Sequence, residues 1–394
     1  MIILYNGMII KEDKILEGHS IEIEGEIIKD IIPNELVSYG EEDTFVDCTG
    51  KYISPGFIDI HSDYIENIVS PRPITVMNFN FSLRETERIL VTSGITTMYH
   101  SLSLYPENDY GRKAIRHPEN IKGLIEEIDQ LEKEPHIIHN RVHLRYELSC
   151  INDMEMVANL IREQKIHLLS FMDHTPGQGQ YANLEVYKKT QKSLIDGMSD
   201  KDVEEDINMR KAMNKLSIEE IQELARIAHQ HGLKVASHDD DSIEKLDFVE
   251  SIGATISEFP ISLEIAKEAT KRNLWTVAGA PNLLQGKSHS GNLSAQEGIL
   301  NKCISIISSD YYPSAVLVSL FAMHEKHQIP LYEMFKMVTV NPAKAVGIED
   351  KVGTVAKGKA ADLLVIEKKN SYPAIKIAMV DGHIVFETRY RYDS

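Results

Sequence analysis

At 394 residues the chain is long enough for a large hydrophobic core and for a second, smaller unit beside it. Its composition is 42% hydrophobic and 26% charged, and no run approaches the ~18 uninterrupted apolar residues of a membrane span, so a soluble globular protein is expected. A formal net charge of −18 excludes non-specific gripping of nucleic acid, which needs a positive surface, and requires any anionic small molecule to be held locally.

In chain order, Ile2-Ile3-Leu4-Tyr5 ends at Asn6-Gly7, and Ile21 to Ile28 alternates around a turn, which predicts short strands of a small β unit over residues 1–52. The opening lacks a basic leader and a small-residue cleavage site, so cytoplasmic residence is the expectation. From residue 53 onward, apolar β-rich runs alternate with helical stretches, the pattern of a parallel sheet wrapped by helices. Eight strands are predicted, at 53–60, 95–100, 141–148, 167–173, 234–238, 254–259, 274–279 and 303–309. Amphipathic helices are predicted between them at 83–92, 119–133, 153–164, 217–231 and 262–272. Eight such units imply an α/β fold, a closed (β/α)8 TIM-like barrel over residues 53–351. Residues 176–216 are too long and too polar for an ordinary loop and are expected to form a charged helical insertion over the barrel mouth. Strand character returns in Ala361 to Ile366 and in Ile377 to Phe386, the latter broken by an Asp381-Gly382 hairpin signal. Both termini, 1–52 and 352–394, are therefore expected to build one small β-sandwich.

Groups with metal-ligand chemistry stand at the predicted strand ends. Strand alternation puts His61 and Asp63 on one face, and an imidazole beside a carboxylate suits zinc, manganese or iron. Arg145 and Glu147 close the third strand, Asp173 and His174 the fourth, His238 the fifth and Asp310 the eighth. In a barrel these ends converge on one face, so residues distant in sequence become neighbours. His143, spaced evenly with Arg145 and Glu147, is read as a partner behind the ligands. Asp239, Asp240 and Asp241 are read as a helix N-terminus or as groups orienting water at the centre. His136, His139, His229, His231, His324 and His327 fall on helices or polar loops and are read as surface or helix-end residues. Cys48, Cys150 and Cys303 lack CxxC spacing, so neither a disulfide framework nor a thiolate zinc site is indicated. Arg72, Arg145 and the loop carrying Lys287, Ser288 and His289 offer cations and small-residue turns of the kind that bind phosphates, with a metal role left open for His289.

The strings Pro55-Gly-Phe-Ile-Asp-Ile-His61, Gly94-Ile-Thr-Thr97, Asn341-Pro-Ala343 and Val352 to Asp362 resemble landmarks of the amidohydrolase superfamily. Within it, His143 to Leu148, Met172 to Gln178, Ala236 to Asp240, Ala278 to Asn282, Ser288 to Asn292 and Ser308 to Pro313 resemble the family of diphosphatases acting on α-D-ribose 1-methylphosphonate 5-triphosphate. The resemblance implies hydrolysis of that triphosphate to the 5-phosphate and pyrophosphate in phosphonate catabolism, the carbon–phosphorus lyase pathway. It implies one or two divalent metal ions, zinc first and manganese or iron as alternatives, on His61, Asp63, His238 and Asp310. The bridging ligand stays open between Glu147, Asp173 and His174, and Ser257-Glu258-Phe259-Pro260 stands where the superfamily has a sixth-strand histidine. Water is expected to attack the α-phosphorus from the centre that includes His238, with Asp310 taking the proton and Asp173 the first substitute for it. The expected partner is a small-molecule substrate, with no nucleic acid and no membrane, and a homo-oligomer is expected. Hydrolysis of a cyclic amide or small peptide is the alternative reaction, and a non-catalytic barrel scaffold the alternative of another class.

Overall fold

A computed structural model of the chain describes residues 1–38, 40–72, 74–106, 113–181, 183–194, 198–288 and 291–391. The N-terminal strands are β1 (Ile2–Tyr5), β2 (Met8–Ile10), β3 (Ile15–Leu16), β4 (His19–Glu24), β5 (Ile27–Pro33), β6 (Thr44–Asp47) and β7 (Tyr52–Pro55). The barrel strands are β8 (Phe57–Ser62), β9 (Ile95–Leu104), β10 (His139–Glu147), β11 (Leu168–Met172), β12 (Lys234–His238), β13 (Ile256–Glu258), β14 (Trp275–Gly279) and β15 (Ile306–Ser308). Three more close the chain, β16 (Leu363–Lys369), β17 (Tyr372–Val380) and β18 (His383–Glu387).

Strands β8 to β15 form one eight-stranded sheet in sequence order, each paired in parallel with the next. Every residue of β8 and β9 is buried, as expected for strands with both faces covered. The last gap closes at a single parallel bridge between Ser62 and Asp310, where Asp310 N donates to His61 O at 3.0 Å and Asp63 N to Asp310 O at 3.0 Å. The fold is the TIM-like (β/α)8 barrel that the alternation predicts.

The termini form two further sheets, ordered β5-β4-β1-β6 and β18-β17-β16-β7-β2-β3. Leu4, Ile21 and Ile23 of the first share one hydrophobic cluster with Ile53, Leu363 and Met379 of the second. His139, read from sequence as a surface residue, ties the barrel to this unit instead, its Nε2 lying 3.2 Å from the buried Asp362 carboxylate.

Two strand predictions shift for identifiable reasons. The run predicted as one strand over 53–60 is split, with β7 in the terminal sheet and β8 in the barrel. Gly56 makes the break, donating to Asp362 O at 2.8 Å in a position where a Cβ would fall 2.0 Å from Thr96 Oγ1. Strand β9 runs past the predicted end at residue 100 to Leu104, because Ser101 and Ser103 are interior residues. Ser101 bonds His143 (3.2 Å) and Ser103 bonds Arg145 (3.2 Å), which gives buried hydroxyls partners.

The polar insertion contains helices Leu184–Leu194 and Asp200–Ala212, the second started by a capping box between Ser199 and Asp202. It is fastened at its base by Gly179 N to Asp241 Oδ2 (2.7 Å) and by Lys215 Nζ to Asp173 Oδ2 (2.7 Å). No helix among the described residues is long and apolar enough to cross a membrane.

Candidate active site

The C-terminal ends of the barrel strands carry the buried polar groups. At the end of β8, Asp59 accepts His61 N and Ser309 N, each at 3.2 Å, which locks this strand to the turn after β15. Burial pushes the Asp59 carboxyl up to about 6. Asp239, Phe259 and Asp310 follow β12, β13 and β15 with φ of 54°, 54° and 59°, in the left-handed region. Such conformations cost on the order of 1–3 kcal/mol each and gather at functional sites. Phe259 is the most unusual, since a bulky side chain seldom adopts this backbone. Its ring packs against His61 at 4.8 Å and His238 at 5.3 Å, wedging two imidazoles in place.

Two clusters of possible ligands adjoin. In the first, His61 Nδ1 lies 2.8 Å from Glu258 Oε1, and His143 Nε2 lies 3.7 Å from Glu258 Oε2. In the second, His238 Nδ1 lies 2.8 Å from Asp239 Oδ2, and His174 Nε2 lies 4.0 Å from the same oxygen. The rings of His61 and His238 are 5.3 Å apart, so the clusters share a wall. Burial drives three of these imidazoles toward their neutral form, His143 to about 3 and His238 to about 4, with His61 also well below its ordinary range. Burial opposes ionisation of Asp239, but the His238 ring beside it holds that carboxyl down at about 2. Burial and the nearby Asp63 carboxyl push Asp310 up to about 7, and burial raises Asp63 and Glu258 as well.

This donor set fits a divalent cation. Neutral imidazoles and carboxylates are the ligating forms, and Glu258 Oε2 is buried without a hydrogen-bond partner among three candidate ligands. Crowded carboxylates raised by burial are the groups that a cation relieves.

Above the donors lies a cavity of about 460 Å³, within the usual range for small-molecule sites. Arg116, Arg145, Arg210 and Lys287 line it. Arg116 pairs with the buried Glu66 at 2.9 Å and stands over the Tyr105 ring, and Glu66 raises its pKa against the pull of burial. Arg145 Nη2 lies 3.1 Å from His238 Nε2; a guanidinium only donates, so this imidazole carries its proton on Nδ1, toward Asp239, and turns its Nε2 lone pair to Arg145.

His61, Asp63, Arg145, His174, His238, Lys287, Ser288 and Asp310 all line this cavity. Glu147 faces His174 instead, accepting from its backbone N at 3.0 Å and lying 2.7 Å from its Nδ1, which places it behind a candidate ligand. Asp173 is engaged by Lys215 (2.7 Å) and Thr175 (2.6 Å) and does not line the cavity. Arg72 is exposed and away from it. His289 lies outside the described residues. Glu258, Arg116 and Arg210 escape the sequence reading. Glu258 had a visible signal, an acid closing the apolar strand where a sixth-strand ligand belongs; the two arginines, in a short turn and in the insertion, had none.

Comparison with known proteins adds relatives to this geometry. Residues 52–385 match the model of the amidohydrolase family. The chain is 29% identical to an Escherichia coli K12 protein named alpha-D-ribose 1-methylphosphonate 5-triphosphate diphosphatase, over 98% of this chain and 100% of that one. Among solved structures it resembles N-acetylglucosamine-6-phosphate deacetylase from Pasteurella multocida, with a TM-score of 0.66 and 14% identity over 97% of this chain and 98% of that one. It also resembles beta-aspartyl dipeptidase from Fervidobacterium islandicum AW-1, with a TM-score of 0.62 and 15% identity over 100% of both chains. These structural likenesses bear on the fold alone.

Proposed function

The chain belongs to the amidohydrolase family, and on that premise we propose that it hydrolyses α-D-ribose 1-methylphosphonate 5-triphosphate to the 5-phosphate and pyrophosphate. The observation that carries this reading is the set of four cations, Arg116, Arg145, Arg210 and Lys287, around a cavity floored by imidazoles and carboxylates. In a chain of net charge −18, cations gathered in one cavity suit a phosphate-rich substrate better than a neutral cyclic amide. The full-length likeness to a named diphosphatase supports the same choice.

His61, His143 and Glu258, or His174, His238 and Asp239, are the residues that would hold a divalent cation, and their mixed N and O donors suit zinc. Such a cation supplies charge that acidifies the attacking water and stabilises the phosphoryl oxygens. Asp310 takes the proton of that water, since its carboxylate faces the cavity whereas Asp173 is bound by Lys215 and Thr175. Arg145, positioned beside His238, steadies the phosphoryl group under attack. Asp59 holds the Ser309 turn and so sets where Asp310 stands.

The purified protein, given the triphosphate, is expected to release pyrophosphate, to stop after exhaustive chelation, and to recover with added divalent ion. A dihydropyrimidine and a β-aspartyl dipeptide are expected to remain intact. Turnover of either amide without pyrophosphate release would replace this reading with the amidohydrolytic one, and undiminished turnover in a verified metal-free sample would remove the cation from it.

A further inference from the structure

We propose that His139, Asp362 and Asp381 form a zinc site at the junction of the barrel and the terminal sheets, separate from the active centre, whose ion clamps the two units together. His139 opens β10 at the barrel end opposite the strand ends that carry the cavity; Glu147 closes this nine-residue strand, roughly 26 Å away at about 3.3 Å per residue. Asp362 directly precedes β16, and Asp381 lies in the turn between β17 and β18. Backbone bonds fix both aspartates. Asp381 N donates to Asp362 Oδ1 at 2.8 Å, Gly382 N to Ala361 O at 3.2 Å and Gly56 N to Asp362 O at 2.8 Å. The other oxygen, Asp362 Oδ2, then stands 3.2 Å from His139 Nε2, and Asp381 Oδ2 stands 3.7 Å from the same nitrogen. One ligand atom from each of the three residues lies within 4.8 Å of the others. Atoms bound to one tetrahedral zinc at about 2.0–2.2 Å are about 3.3–3.6 Å apart, so a small inward shift completes the set.

Two observations separate this group from an ordinary surface ion pair. The Asp362 side chain is 4% exposed, and its Oδ2 has no hydrogen-bond partner among the described residues, so the nearby imidazole does not satisfy it. Charge is the second. One proton on His139 answers one carboxylate and leaves the other over, whereas a divalent ion beside a neutral imidazole balances both. Burial raises the Asp381 carboxyl against the pull of His139, and Asp362 and Glu26 add to the rise, which is the crowding a cation relieves. Against burial, the two carboxylates raise the His139 imidazole as well, so a proton is the competitor the ion displaces. Glu132, His136 and His139 also offer atoms within 4.8 Å of one another, but both Glu132 oxygens are taken, by Asn140 N at 2.7 Å and Arg141 Nη1 at 2.6 Å. The choice therefore falls on the aspartates. One imidazole and two carboxylates suit zinc and leave a position for water.

The test uses the purified full chain, stripped of metal and titrated with zinc, in wild type, His139→Gln, Asp381→Asn and His238→Ala. Asn tolerates the left-handed backbone at Asp381, where φ is 47°, so that variant removes the charge without strain. Elemental analysis after dialysis is expected to find one zinc equivalent fewer in His139→Gln and in Asp381→Asn than in wild type. Zinc about 100-fold above its dissociation constant for this site is expected to raise the wild-type melting temperature by about 3 °C more than that of either variant. His238→Ala is expected to keep this increment, whatever reaction the cavity performs. Equal zinc content and equal zinc-dependent shifts in wild type and both junction variants would overturn the proposal. Junction variants that melt lower than wild type already without metal, yet keep its zinc content, would overturn it too and leave an imidazolium–carboxylate pair. An increment that vanishes in His238→Ala would also overturn it, because the ion would then belong to the cavity.

Discussion

Asp310→Asn is expected to lower kcat by about 10²- to 10⁴-fold with a much smaller change in KM, the range that a positioned proton acceptor contributes. The amide keeps the size of the carboxyl, so the tight approach to Gly279, where a Cβ would fall 2.8 Å from Asp310 Oδ2, is not disturbed. The same substitution has an opposite effect on the metal-free fold. A carboxyl raised to about 7 binds its proton more tightly folded than unfolded, so stability is lost as pH rises from about 4, its unfolded value, to about 7. Above that window the wild type bears a buried charge beside Asp63 that the variant lacks. Stripped of metal, Asp310→Asn is therefore expected to melt higher than wild type at alkaline pH and no higher below about pH 4. Rate constants and melting curves check both halves; an unchanged kcat would pass the proton to another group, and a lower alkaline melting point would contradict the charge argument.

His238→Ala is expected to lose bound divalent metal and turnover together. The imidazole lies between Asp239, Arg145, Phe259 and His61, and its truncation removes a neutral donor from the group it forms with His174 and Asp239. It also leaves Asp239 buried without its closest partner, which costs on the order of 1–3 kcal/mol or more. Glu147→Gln provides the scale. This outer partner only orients His174, and changes of that kind cost about 10–100-fold in metal affinity or activity, so the His238 variant is expected to fall further. Elemental analysis of the purified variants beside their rates decides it. Full metal occupancy in His238→Ala at the wild-type rate would take His238 out of the centre.

The barrel and its flanking sheets are legible from the sequence because side-chain direction repeats every two residues in a strand and every 3.6 in a helix, and burial writes those periods into residue choice. Strand ends are legible for the same reason, which is how His61, His174, His238 and Asp310 come to one cavity wall in a reading without coordinates. What periodicity does not carry is pairing across the barrel. Glu258 and His61 are 197 residues apart, and only closure of the sheet brings them within 2.8 Å. A search for a sixth-strand histidine passes over Glu258 because it asks for one residue type and not for any donor. Arg72 shows the reverse error of pattern without placement: a proline-flanked arginine looks like part of a phosphate loop, yet it is exposed and outside the cavity. Arg210 has no strand-end address at all, and only the packing of the insertion brings it over the mouth.

The most direct test of the diphosphatase assignment is hydrolysis of the 5-triphosphate in ¹⁸O-labelled water, followed by ³¹P NMR of the products. Attack on the α-phosphorus leaves that phosphorus with the sugar, so the label is expected in the ribose 5-phosphate product and none in pyrophosphate. Label in pyrophosphate would mean that water attacks the β-phosphorus, and labelled orthophosphate as the first product would mean attack at the γ-phosphorus; either result contradicts a reaction centre that receives the α-phosphoryl group.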